Sequence, residues 1–162
     1  MAVCGLMEKV MLRNLVLVVG YATALVLSTA ASAVETQFGT AEEAKAMLER
    51  AVAAVKEDKA KALDMFNKGE GGFKDRDLYV ACASASDGIV TAHPTMKGKQ
   101  LRDILGKHGA PFGETLMQNA TEGTIKETTY WWPRPGSDEP FEKNTFYTKV
   151  GDQICAVGYY KE

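Results

Sequence analysis

The sequence predicts an α+β domain: one long N-terminal helix, then a five-stranded antiparallel sheet with two short helices between its second and third strands. Three features of the pattern carry this. Apolar residues recur at threes and fours from Ala44 to Phe66, the period of a helix with one buried face. At Leu78 the period changes to two, as a strand requires. The chain then closes on three β-branched and aromatic runs, the last two joined by a Gly151-Asp152 hairpin turn.

Ahead of the domain, Lys9 and Arg13 precede an apolar run from Leu15 to about Leu27, followed by Ala31-Ser32-Ala33. A positive end, an apolar segment and small residues in that order predict a secretory signal peptide over 1–33, cleaved after Ala33, with a single domain over 34–162. An uncleaved membrane anchor is the alternative, because the run is nearly long enough to span a bilayer. Met7 and Met11 are alternative starts that leave the signal intact. At 46% apolar and 25% charged residues the chain is composed as one globular domain. Its net charge of −2 becomes −3 once Glu8, Lys9 and Arg13 leave with the signal, which argues against nucleic acid as a partner. Export takes Cys82 and Cys155 into an oxidising compartment, where a disulfide is the first question to ask of them.

Thr40-Ala41-Glu42-Glu43 is a capping box and starts the helix. Ala44, Met47, Leu48, Ala51, Val55, Ala62 and Phe66 form its buried stripe, against a face of Glu42, Lys45, Glu49, Arg50, Lys56, Glu57 and Lys61. Asp58 and Lys59 interrupt the stripe, where a kink is expected, and Gly69, Gly71 and Gly72 end the helix. Leu78 to Ala83 is the first strand, covered on both faces, and Ser86-Asp87-Gly88 turns it into a second from Ile89 to His93. Pro94, lacking an amide, stops that strand. Gly98 to Pro111 holds a short helix with Leu101, Ile104 and Leu105 on one side, and Phe112 and Leu116 belong to a second, closed by Gly123. Thr124 to Trp132 is the third strand, 133–140 a polar Pro/Gly loop, and Lys143 to Val150 and Gln153 to Tyr160 the last two strands.

This order of elements, and short blocks within it, resemble the single Cache family of PAS-like extracellular sensor domains. Asp87-Gly88-Ile89-Val90-Thr91-Ala92-His93-Pro94 resembles that family's hairpin, and Gly98-Lys99-Gln100-Leu101 the run that follows it. Phe73 to Val80 is similar to its entry into the first strand, Tyr130-Trp131-Trp132-Pro133 to its third, Glu142 to Val150 to its fourth, and Val157-Gly158-Tyr159-Tyr160 to its close. The likeness runs from about Thr40 to the end of the chain. It implies a ligand-binding sensor that recognises a small organic acid or similar metabolite for signal transduction or chemosensing, through a membrane receptor or a homodimer. The familiar relatives sit between membrane helices, and no second apolar span follows the sheet here, so a free-standing exported member is expected.

The resemblance implies a ligand site in the region of His93, and the residues read as lining it are Lys143, Tyr130, Trp132, Tyr147 and His93. A small carboxylate needs a cation and a few directional donors in an apolar pocket, and Lys143 beside Tyr130, Trp132 and Tyr147 meets that need. Against this, a lone lysine after Glu142 also reads as a solvated edge charge, the commoner role for such a residue. His93 either reaches the pocket or caps the local backbone. Tyr130 and Trp132 share one strand face and Trp131 takes the other, to pack on a different layer; the alternative leaves both tryptophans in the core. Cys82 and Cys155 fall in strands that the PAS-like order makes neighbours, where they either bond or stay two buried thiols.

Enzyme chemistry has little to stand on. His93 and His108 are the only histidines, no H-E-x-x-H, C-x-x-C-H or G-x-S-x-G occurs, and no spacing suits a metal or other cofactor. The rival to a ligand-binding domain is an interaction module, in which the long helix mediates dimerisation or receptor docking without a small ligand.

Overall fold

The Thr40 hydroxyl accepts from the Glu43 amide at 3.2 Å and the Glu43 carboxylate accepts from the Thr40 amide at 2.8 Å, so the capping box opens α1 (Ala41–Glu57). The structure, a computed structural model, describes residues 37–161; the expected leader over 1–33 lies outside the described residues. The single long helix of the sequence reading is two helices. Asp58, in extended backbone, gives its amide to the Ala54 carbonyl and ends α1, while its carboxylate accepts from the Lys61 amide at 3.1 Å and caps α2 (Lys59–Lys68). One residue thus serves both ends, and the chain bends where the apolar stripe is interrupted.

The five expected strands form, with one short addition. A two-residue strand, β1 (Lys74–Asp75), folds back through Arg76 onto the start of β2 (Leu78–Ser84). After β3 (Val90–Ala92) and α3 (Phe112–Asn119), the long strands β4 (Lys126–Pro133), β5 (Pro140–Val150) and β6 (Gln153–Tyr160) complete the sheet. All pairs are antiparallel, in the order β1-β2-β6-β5-β4, and β3 pairs β2 across an irregularity at Cys82 and Ala83. The first and last long strands of the sequence therefore lie side by side at the centre.

That pairing sets Cys82 opposite Cys155, Cα atoms 4.1 Å apart, and a disulfide joins them. Both sulfurs sit in the layer under the helices. On this face Met47, Leu48, Ala51, Phe66, Val80, Val157 and the two cysteines form a dry apolar core. The opposite face carries Ala83, Tyr130, Tyr147, Ile154 and Ala156, roofed by Leu101, Ile104, Phe112 and Leu116.

The roof differs from expectation. Between Gly98 and Pro111 there is no α-helix but two 3-10 turns, Leu101–Asp103 and Lys107–Gly109. Left-handed backbone at Gly98, His108 and Gly109 breaks the succession of i to i+4 bonds that a helix needs. Leu101 and Ile104 are buried as expected, but Leu105 is 52% exposed. α3 approaches this roof closely at Gly113, where a Cβ would lie 1.8 Å from the Leu101 carbonyl oxygen. Trp131 also departs from expectation: α1 packs chiefly over β6 and β5, so Trp131 on the edge strand β4 meets the His108 ring edge-on, centroids 6.2 Å apart, instead of a helix layer, and is 45% exposed.

Candidate functional site

Between the second sheet face and the roof lies a cavity of about 50 Å³. Its wall is mostly apolar, from Val90, Met96, Leu101, Ile104, Phe112, Leu116 and Ile154, with a polar group at one end. The strand alternation decides that end. Tyr79 of β2, Tyr130 and Trp132 of β4, Lys143 and Thr145 of β5, and Gly158 of β6 all point to this face.

Lys143 is 2% exposed, although lysine is almost never fully buried without a partner. Its ammonium donates to the Tyr79 phenol oxygen at 3.0 Å and lies over the rings of Tyr79 and Tyr160, 4.4 and 4.7 Å from their centroids. Among the described residues no carboxylate comes within ion-pair distance of it, and burial pulls its pKa below the ordinary lysine value. The stem crosses Gly158, where a Cβ would lie 2.3 Å from Lys143 Cε and 2.5 Å from Thr145 Oγ1. Only a residue without a side chain leaves that path open.

Burial pushes the pKa of Tyr79 up to about 12, and the neighbouring Trp132 side chain opposes that rise. With the Lys143 ammonium donating to its oxygen, Tyr79 keeps its phenol proton to offer an acceptor. Tyr130 accepts from Thr145 Oγ1 at 3.1 Å, stacks on Phe112 at 4.1 Å, and has its pKa raised by burial. His93 Nδ1 accepts the Thr95 amide at 3.1 Å, which assigns the ring proton of the neutral imidazole to Nε2. Burial, then the charges of Lys143 and Lys99, lower its pKa to about 4, so His93 is neutral near pH 7.

Of the five residues singled out in the sequence, Lys143, Tyr130, Trp132 and His93 line the cavity. Tyr147 does not. It lies further along the same face of β5, opposite Ala156, buried in the apolar cluster beyond the cavity wall, and burial raises its pKa. Lys143 is no solvated edge charge, because β5 is flanked by β4 and β6. His93 does both of the things considered for it, bonding local backbone through Nδ1 and lining the cavity. Sequence reasoning passed over Tyr79 and Gly158. A glycine inside a β-branched and aromatic strand was the available signal, since it marks a close approach. For Tyr79 there was none, because its neighbours Leu78 and Val80 make the strand read as plain core.

Residues 19–158 match the family model for single Cache domain 2, the match beginning inside the apolar run. Two solved structures share the fold. One, the periplasmic sensor domain of a chemotaxis protein, is 20% identical, covers 75% of this chain and 90% of its own, and superposes with a TM-score of 0.56. The other, a Cache chemosensory domain described for its recognition of carboxylic acid, is 17% identical, covers 75% of this chain and 88% of its own, with a TM-score of 0.53. Among proteins of curated function none matches the chain. A six-stranded antiparallel sheet of this order, roofed over a small cavity and matched to the family model across most of its length, makes the chain a member of the single Cache domain family.

Proposed function

We propose that this chain is an exported ligand-binding Cache domain whose cavity takes a short-chain monocarboxylate by an ion pair to Lys143. The observation that carries the reading is a buried ammonium with no carboxylate within ion-pair distance among the described residues, Asp77 acting on it only from further away. Removing a charge from water is expensive unless another group compensates it, and the phenol oxygen of Tyr79 does so only in part. An anion would complete it, with Tyr79 and Nε2–H of His93 as the neutral donors at hand.

The rest of the wall narrows the class. One water molecule needs roughly 10–15 Å³ on this measure, so about 50 Å³ suits a ligand of only a few heavy atoms. No aspartate or glutamate lines the cavity to receive the ammonium of an amino acid, and with His93 neutral there is no second cation for a diacid. Acetate and propionate fit these terms. The carboxylic acid recognition described for the 17% identical relative is in keeping with them. Export rests on the leader read over 1–33, and the Cys82–Cys155 disulfide suits an oxidising compartment.

Thermal unfolding against acetate, propionate, glycine and succinate tests the reading. A ligand at ~100 times its Kd adds about 2.7 kcal/mol of stability. Acetate or propionate is expected to stabilise the protein and glycine and succinate to leave it unchanged. No shift with any short monocarboxylate, or the same shift in Lys143→Met, overturns it.

A further inference from the structure

Phe38, Gly39 and Thr40, which lead into α1, are held by a cluster outside the cavity. The Arg134 guanidinium lies 3.8 Å from the Phe38 ring centroid, 4.8 Å from that of Phe141 and 5.2 Å from that of Tyr160. Buried Asp77 accepts from the Gly39 amide through Oδ1 at 2.7 Å. Its other oxygen faces Arg134 Nε at 3.8 Å, and neither of those two buried atoms has a hydrogen-bond partner. Arg76 donates to the Phe38 carbonyl at 3.0 Å and pairs at 2.7 Å with Glu43, the carboxylate of the capping box.

Tyr160 belongs to this cluster and to the cavity's cationic end at once. It stands opposite Lys143 in the β5–β6 register, with the ammonium 4.7 Å from its ring centroid. Its hydroxyl donates to the Pro133 carbonyl at 2.6 Å, one residue before Arg134. We infer that the Lys143 end of the cavity and the entry segment Phe38–Thr40 are one coupled unit, linked through Tyr160, so that a ligand taken by Lys143 changes the grip on the chain entering α1. The ligand half rests on the carboxylate reading above; the link through Tyr160 does not.

The physics of the link is electrostatic. An anion paired with Lys143 weakens the attraction of the ammonium for the Tyr160 ring and leaves the ring to Arg134 and Pro133. The Arg134–Asp77 pair has somewhere to go, because Arg134 Nε and Asp77 Oδ2, both buried and without a hydrogen bond, gain by closing from 3.8 Å to bonding distance. A contact with two arrangements is what coupling between sites requires. Its nearest reporter is the Gly39 amide, bonded to the other oxygen of Asp77.

Amide hydrogen exchange of Gly39 by NMR, in the full chain and with the Ala51 amide of α1 as internal reference, tests the link. Lys143→Met without ligand, and saturating sodium acetate on the unchanged protein, are each expected to shift Gly39 exchange about fivefold or more relative to Ala51. Arg134→Gln should abolish both responses while calorimetry still detects acetate. A Gly39 amide that moves in neither experiment overturns the coupling. Calorimetry without acetate binding, together with a Gly39 shift in Lys143→Met, keeps the coupling and removes the carboxylate reading. Tyr160→Leu gives the same test should Lys143→Met not fold: loss of the shared ring must by itself move Gly39.

Discussion

On β6, Cys155 and Val157 turn toward the helices while Ala156, Gly158 and Tyr160 turn toward the cavity, so one strand serves two environments. The helix face is apolar, closely packed and tied by the Cys82–Cys155 disulfide. The cavity face, equally buried in many of its residues, holds a lysine, phenols, an imidazole and a glycine where packing alone would put aliphatic side chains. Burial is common to both; what differs is whether the buried groups satisfy one another. The helix face is complete in itself, and the cavity face is left with a cation that has no ion-pair partner among the described residues.

The largest effect expected belongs to the helix face. Replacing Cys82 and Cys155 together by alanine releases a cross-link between residues 73 apart in sequence, which on the chain-entropy account removes about 4 kcal/mol of stability. Urea unfolding of the double variant, against the oxidised parent, measures it. A loss under about 1 kcal/mol would break the comparison, because the helix face would then not depend on its tie.

Next comes a pH dependence confined to the cavity face. His93 has a folded pKa of about 4 against an ordinary 6.5, so between those values the unfolded chain binds more protons than the folded one. Stability then rises with pH across that window and is lost as pH falls from 6.5 toward 4, by up to about 3 kcal/mol. His93→Asn, which keeps an acceptor for the Thr95 amide, should flatten that limb in urea unfolding at a series of pH values. An acid limb equally steep in the variant would place the titrating group elsewhere.

The two faces were unequally legible in the sequence, and for one reason. Apolar periodicity reports which side of an element is buried, so the helical stripe and first strand of the helix-face core could be read from it, while β-branched and aromatic runs and the Gly151-Asp152 turn marked the last three strands. It cannot report which buried side chains converge. Tyr79 has the phase of its strand's second face and nothing else to mark it, and Tyr147 shares the face of Lys143 yet lies beyond the cavity. The roof was misread because its apolar spacing is helical while the left-handed positions at Gly98, His108 and Gly109 are not. Asp58 was legible as an interruption but not as a cap shared by two helices.

A smaller effect should follow Gly158→Ala. The backbone there needs no glycine, but a methyl group would press on the Lys143 stem and on Thr145, and overpacking of this kind usually removes 1–3 kcal/mol. Because the displaced group is the cavity's cation, the acetate-induced thermal shift should shrink as well. A variant that loses stability and keeps the full shift would show that Gly158 makes room for the strand pair alone.

The smallest change in stability is expected where the chemistry is greatest. Lys143→Met keeps the length of the stem, removes an ammonium that burial disfavours, and takes one donor from the Tyr79 oxygen, whose own proton stays free to donate. Replacing a buried charge by an apolar group of similar volume is often neutral or stabilising. At pH 7 the stability measured by urea unfolding should therefore fall by less than about 1 kcal/mol, or rise. The lowered pKa of Lys143 adds a sign: the folded protein gives up this proton before the unfolded chain does, so the parent gains stability as pH climbs toward the ordinary lysine value, and the variant should not. A loss of several kcal/mol in Lys143→Met would mean that the lysine is a structural member of its face, and the contrast between a self-sufficient face and one completed by a ligand would fail.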